Sequence, residues 1–352
     1  MLQVNFTQAV NAIATIGTHN TILLRGQPGM GKSAILAAVA KLLPDYIPSY
    51  IDCSNLDLGD IAMPVVDRER MVTNYAPNAR FNVSRDSTRP VLIMLDELTK
   101  APRPVFNMLL PLVLERRLGD VPLPAGSIVF ATGNLETDGV GDRIEAHAYN
   151  RMTVVDYRNP TAEEWIQWAA SKDIHPSVLL FVYENPQVFD RYDSLSNEKE
   201  NPYIFNPLTG NTRAFVSGRS LEKASHIVTQ RDTLGAAMLP LLAGTIGEPA
   251  ARMLEASIAV EDKVPRRDVI LSSPDTAPLP ADISGYYMLA IRCAAQASPK
   301  TMEAFVTYVL RWKHMEAKTL FTTMVAGNKD KVVWALKTPN FRNLAAECGK
   351  FF

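Results

Sequence analysis

Gly26-Gln27-Pro28-Gly29-Met30-Gly31-Lys32-Ser33 fits the pattern GxxxxGK[ST] over its full length. At average composition this pattern arises by chance in roughly 1% of chains this long, and its setting lowers the chance further. The apolar run Thr21–Leu24 precedes it, and the Ala- and Leu-rich stretch Ser33–Leu43, closed by Pro44, follows. A strand, a tight glycine-rich loop and a helix, in that order, turn backbone N–H groups inward around an anion and aim the helix's positive end at it. The loop Gly26 to Ser33, with Ala34 opening the helix, is therefore expected to hold a nucleoside triphosphate. Lys32 would reach its β- and γ-phosphates, and Ser33 would ligate Mg²⁺.

Downstream, Val91-Leu92-Ile93-Met94-Leu95 is a continuous apolar run that ends in Asp96 and Glu97. Carboxylates at the end of a buried strand cost desolvation energy unless they are used. Asp96 is expected to hold the Mg²⁺ shell and Glu97 to polarise an attacking water. A third run, Ile128-Val129-Phe130-Ala131-Thr132-Gly133, ends in Asn134. In a parallel sheet the C-terminal strand ends converge on the ligand, so Asn134 is expected beside the γ-phosphate.

These runs, with Tyr50–Cys53 and Thr153–Val155, predict an α/β fold: a five-stranded parallel sheet flanked by helices over residues 1–158. A helical domain is expected over 159–263, opened by the capping-box pair Thr161 and Glu164, with Trp165, Trp168 and Ala169 on one face. A proline-rich connector, Val264 to Gly285, then leads into a helical C-terminal region, so that the last zone spans 264–352.

Composition agrees and excludes alternatives. The 352 residues carry 36 Lys+Arg against 37 Asp+Glu, a net charge of −1, which argues against nucleic acid held by basicity alone. Three cysteines, Cys53, Cys293 and Cys348, make neither a disulfide framework nor a CxxC metal site. The start lacks the basic residues of a signal peptide, and the most apolar late stretch, Gly235 to Gly247, is too short to span a bilayer. A soluble cytoplasmic protein without membrane contact is expected. Asp57 and Asp60 read as a polar loop, and no serine or cysteine nucleophile has a recognisable setting.

The three motifs in this order resemble Walker A, Walker B and sensor 1 of an AAA+ ATPase. Asp96-Glu97-Leu98-Thr99-Lys100-Ala101, Asn107-Met108-Leu109-Leu110, Glu115-Arg116-Arg117-Leu118-Gly119 and Leu123-Pro124 are similar to the MoxR branch. The resemblance implies a hairpin before sensor 1, at about Leu118–Ser127, and an insertion in the second helix, at Asn55–Phe81. It implies that Arg151, in Asn150-Arg151-Met152, is an arginine finger acting on a neighbouring subunit, with Met152 where the family usually has Phe. Arg143 is a second candidate for such a contact. It also implies a sensor 2 arginine, Arg219, in Ser217-Gly218-Arg219, where glycine replaces the usual proline. A homo-oligomeric ring, typically a hexamer, that remodels a protein client is the expectation. A client with a von Willebrand factor A domain fits that branch.

Two rival readings remain. One is a nucleotide-gated scaffold with incidental turnover, against which the Asp96-Glu97 pair speaks. The other is a nucleic-acid-acting NTPase using Lys100, Arg103, Arg116 and Arg117 as pore-lining cations, against which the neutral balance speaks.

Overall fold

The computed structural model describes residues 2–27, 29–134, 149–192, 195, 201–207 and 214–349. The chain divides into two compact units, Met1–Pro160 and Thr161–Phe352. The first is an α/β unit and the second is helical.

The sheet of the first unit contains β1 (Gln3–Val4), β2 (Ile22–Arg25), β3 (Ile47–Asp52), β6 (Val91–Asp96), β9 (Ile128–Gly133) and β10 (Thr153–Tyr157). Its order is β1-β10-β2-β9-β6-β3, and all pairs are parallel. Six strands therefore stand where five are expected. The sixth, β1, is two residues long and pairs only at the edge with Asp156 and Tyr157, too short to leave a pattern in sequence.

Each central strand is buried on both faces, and the alternation of side chains sorts its residues into two cores. Leu23, Ile93, Leu95, Val129 and Ala131 pack with Leu109 and Leu112 of α3 (Arg103–Glu115). Ile22, Leu24, Leu92, Met94, Ile128 and Phe130 pack with Ala9 and Ile13 of α1 (Phe6–Ile16) and Ile35 and Val39 of α2 (Ala34–Leu42). The α2 helix stops before Pro44, whose ring disfavours helical backbone in Leu43.

Two antiparallel hairpins leave the sheet in the stretches where the resemblance implies insertions. The first joins β4 (Ala62–Asp67) to β5 (Val72–Pro77), with Met63, Val65, Val66 and Tyr75 exposed. The second joins β7 (Arg117–Leu118) to β8 (Val121–Pro122). Its Gly119 has φ +56°, and a Cβ there would lie 2.4 Å from the Tyr75 carbonyl oxygen. That oxygen accepts from the Asp120 N–H at 3.0 Å, so the hairpins are tied by backbone.

In the second unit the Thr161–Glu164 capping box forms as the spacing predicts. Trp165 is buried, with Trp168 6.3 Å away between ring centroids. One core runs from Ala162 to Cys348 and includes Val264, Ile270 and Ala277 of the proline-rich stretch. That stretch holds a short helix, Arg267–Ser272. Prolines lack an N–H, so only their carbonyls need partners. Arg292 donates to Pro265, Arg311 to Pro274, and the Tyr308 hydroxyl to Pro278.

Candidate active site

The strand order puts β2 at the centre. The chain leaves it for the far edge (β3), returns through β6 and β9, and crosses to β10 on the other side. That reversal is where a doubly wound sheet opens a crevice at its C-terminal strand ends. The register aligns Arg25 with Gly133 and Leu95 with Ala131, so the motifs after β2, β6 and β9 end at one level.

The loop after β2 is anchored by the Gly26 N–H, which donates to Gly133 O at 3.1 Å. A Cβ on Gly26 would lie 2.9 Å from Tyr157 O, so the close approach of β10 requires glycine. Gly29 and Gly31 both have φ +79°, the left-handed backbone that glycine adopts freely. A Cβ on Gly31 would meet nothing within 4 Å, which leaves this side of the loop open. Gln27 and Met30 are buried. The Ala34 N–H closes the first turn onto Gly31 O at 3.0 Å. Pro28 lies outside the described residues.

Lys32 is 8% exposed, and its ammonium donates to Gly26 O, to Gly133 O at 3.0 Å and to Asn134 Oδ1 at 3.0 Å. Accepting from Lys32 fixes the orientation of the Asn134 amide. Its Nδ2 is left buried with no acceptor among the described residues. A buried donor of this kind costs about 1–3 kcal/mol unless paired. A phosphate oxygen or a water beside Lys32 would satisfy it. The Asn134 N–H is held by Thr99 Oγ1 at 3.3 Å.

Asp96, 7% exposed, accepts three hydroxyls: Ser33 at 3.1 Å and Tyr50 at 2.7 Å on Oδ2, and Thr132 on Oδ1. The Ser33–Asp96 pair is the donor set expected of a Mg²⁺ site completed by water and substrate phosphates. Among the described residues no three His, Cys, Asp or Glu side chains cluster to hold an ion alone. Glu97 has left-handed backbone, φ 52° and ψ 38°, and its N–H donates to Thr132 Oγ1 at 3.1 Å. Its carboxylate is bridged by Lys100, 2.8 Å from each oxygen.

Arg151 is exposed just before β10, and no hydrogen bond or ion pair among the described residues engages it. Met152 is buried in the core beneath α3, so the methionine fills the apolar position next to it. Arg219 belongs to the helical unit and is the second residue of the helix Gly218–Thr229, which Ser217 caps. It is exposed and likewise unengaged. Arg143 lies outside the described residues.

Other candidates resolve into structure. Asp57 and Asp60 cap each other's backbone, and Asp60 pairs with Arg80. Arg116 donates to Thr21, Val113 O and Gly17 O, which makes it an internal anchor and not a pore cation. All three cysteines are buried, and burial pushes the Cys53 and Cys293 thiols up, the latter to about 12, which keeps them protonated. No helix among the described residues is long and apolar enough to cross a membrane. Tyr50, Thr99 and Thr132 were not singled out in sequence. Thr99 and Thr132 lie inside motifs quoted for the resemblance, whereas Tyr50 carried no signal beyond its strand.

Residues 21–126 match the family model described as AAA domain (dynein-related subfamily). No curated protein matches the chain. Among solved structures, it is similar to NtrX from Brucella abortus in complex with ADP, at 13% identity and TM-score 0.40. That alignment covers 98% of this chain and 67% of the other. It is also similar to the Thermotoga maritima RuvB Holliday junction branch migration motor, at 12% identity and TM-score 0.38, over 95% and 89%. The strand order, the phosphate loop and the matched segment together establish a P-loop AAA fold in the first unit, with an AAA domain in residues 21–126.

Proposed function

We propose that this chain is a Mg²⁺-dependent ATPase of the AAA+ class that works as a homo-oligomeric ring, typically a hexamer, and remodels a protein client. The observation that carries the reading is the convergence of Lys32 with Asn134 and of Ser33 with Asp96 at the C-terminal ends of β2, β9 and β6. The open left-handed turn at Gly29 and Gly31 supports a phosphate there. Ser33 and Asp96 would hold Mg²⁺, which would supply positive charge to offset that of the phosphates.

The chain's own residues divide the work. Lys32 neutralises phosphate charge from a buried position, where a cation acts more strongly than in water. Ser33 and Asp96 hold the metal, and Tyr50 and Thr132 fix the Asp96 carboxylate. Asn134 donates Nδ2 towards a phosphate oxygen or the attacking water. Glu97 accepts a hydrogen bond from that water and takes up its proton as the water oxygen bonds to the γ-phosphorus and the bond to the β–γ bridging oxygen breaks, releasing ADP and phosphate. Arg151, exposed and unengaged, suits a charge offered to a neighbour's site. Arg219 would close on the nucleotide of its own subunit. The assignment to the MoxR branch and a client with a von Willebrand factor A domain rest on the motif resemblance and on the two hairpins.

Steady-state hydrolysis by the wild type and by Glu97→Gln tests the reading, with nucleotide binding measured in parallel. The expected result is Mg²⁺-dependent phosphate release by the wild type. Glu97→Gln should bind ATP but lose about 10²-fold or more in kcat. Equal turnover by the two proteins would move a nucleotide-gated scaffold to the front.

A further inference from the structure

Glu97 is constrained from both its backbone and its side chain. Its left-handed φ of 52° is uncommon for a residue with a side chain, and the Thr132 hydroxyl pins its N–H. The next three residues, Leu98–Lys100, form one tight turn. That turn returns the Lys100 N–H to Glu97 O at 2.8 Å and the Lys100 ammonium to both carboxylate oxygens at 2.8 Å.

The strand order gives the pair a direction. Lys32 and Asn134 belong to the β2–β9 side of β6. On the opposite side of β6, at the end of β3, stands Asp52. Its carboxyl is held below its ordinary value first by the Ser54 hydroxyl, with the charge of Lys100 among the smaller contributions. Both oxygens of the Glu97 carboxylate thus face the Lys100 ammonium, whose charge also reaches Asp52 at the end of β3.

We propose that Lys100 is a positioning residue that parks the Glu97 carboxylate, so that basal hydrolysis is restrained until the Lys100–Glu97 bridge opens. The inference rests on the ATPase reading above. The two side chains are 26% and 34% exposed, and ion pairs of that exposure are weak. The restraint should therefore be modest, about two- to fivefold, and easily released by a rearrangement of the turn.

Competitive acetylation of the full-length protein, read lysine by lysine by mass spectrometry, tests the bridge without relying on activity. Without nucleotide, Lys100 should be acetylated about two- to fivefold faster in Glu97→Gln than in the wild type, relative to the other lysines. Kinetics test the restraint. Lys100→Met should raise kcat about two- to fivefold with KM for ATP little changed, and Lys100→Arg should restore the wild-type rate. Lys100→Met placed in the Glu97→Gln background should change nothing, because the effect runs through Glu97.

Equal acetylation of Lys100 in the two proteins overturns the bridge, and this arm decides even if Lys100→Met fails to fold. A Lys100→Met kcat equal to or below the wild type overturns the restraint. Absence of hydrolysis by the wild type, with acetylation still unequal, overturns the ATPase reading and the restraint with it. Normal wild-type hydrolysis with equal acetylation overturns the parking role alone.

Discussion

The Ser33 hydroxyl donates to Asp96 Oδ2 at 3.1 Å, joining the N-cap of α2 to the end of β6 across 63 positions of sequence. The same oxygen accepts from Tyr50 at 2.7 Å, and Thr132 holds the other. Asp96 is thus oriented by three hydroxyls, of which only Ser33 belongs to the phosphate loop. Ser33→Ala should leave the carboxylate in place on its two remaining donors while removing the proposed metal ligand. The Mg²⁺ concentration for half-maximal hydrolysis should rise about 10- to 100-fold, the range seen when a metal site loses an orienting group. An unchanged Mg²⁺ titration would argue that Ser33 is not part of a metal site.

Gly133 is needed for packing against Thr99. A Cβ at this position would lie 2.4 Å from Thr99 Cγ2 and 3.1 Å from its Oγ1. Because Thr99 Oγ1 holds the Asn134 N–H, Gly133→Ala should shift Asn134 and cost roughly 10²-fold in kcat. Adding Thr99→Ser, which deletes the clashing methyl and keeps the hydroxyl, should recover part of the loss. The kcat of the double variant checks this, and no recovery would count against it.

The helical unit contains one group whose titration should be visible in stability. His175 caps the helix Pro176–Glu184, its Nδ1 accepting from the Ser177 N–H at 3.3 Å, which requires that nitrogen unprotonated. Burial lowers its pKa. Glu261, 3.7 Å away, and Asp262 oppose the shift, and the charge of Arg231 adds to it. With the folded pKa below the unfolded value of 6.5, the unfolded chain takes the proton first as pH falls. Stability is therefore lost on acidification from that value down to the folded pKa. Urea midpoints at about pH 7.5 and 5.5 should fall further for the wild type than for His175→Asn, which keeps a capping acceptor that does not titrate. Equal falls would show that His175 does not set this dependence.

How much of this was legible follows from particular residues. Every residue of β6 and β9 is buried, so both read as unbroken apolar runs. The phosphate loop, Asp96 and Asn134 were legible because chemistry places them at strand ends. Tyr50 was not, since a tyrosine in a strand reads as an ordinary strand former until its hydroxyl is seen to reach Asp96, two residues beyond its register partner Met94. The proline-rich stretch suggested a connector. Ile270 is nevertheless fully buried and the stretch shares the helical unit's core, because arginines and a tyrosine from later helices satisfy its carbonyls. The hairpins were legible only through the family resemblance, since exposed Val65, Val66 and Tyr75 give no inward-facing pattern.

The central claim is that one subunit supplies the phosphate loop and its neighbour supplies Arg151. Lys32→Ala and Arg151→Ala should each be nearly inactive alone, since an arginine acting in trans is worth roughly 10³–10⁵ in rate. Hydrolysis by an equal mixture of the two, after subunit exchange, tests the claim most directly. Recovered activity is the predicted result, because some interfaces then pair an intact loop with an intact arginine. A mixture that stays inactive while the wild type turns over and subunits exchange would contradict it and make each site self-contained.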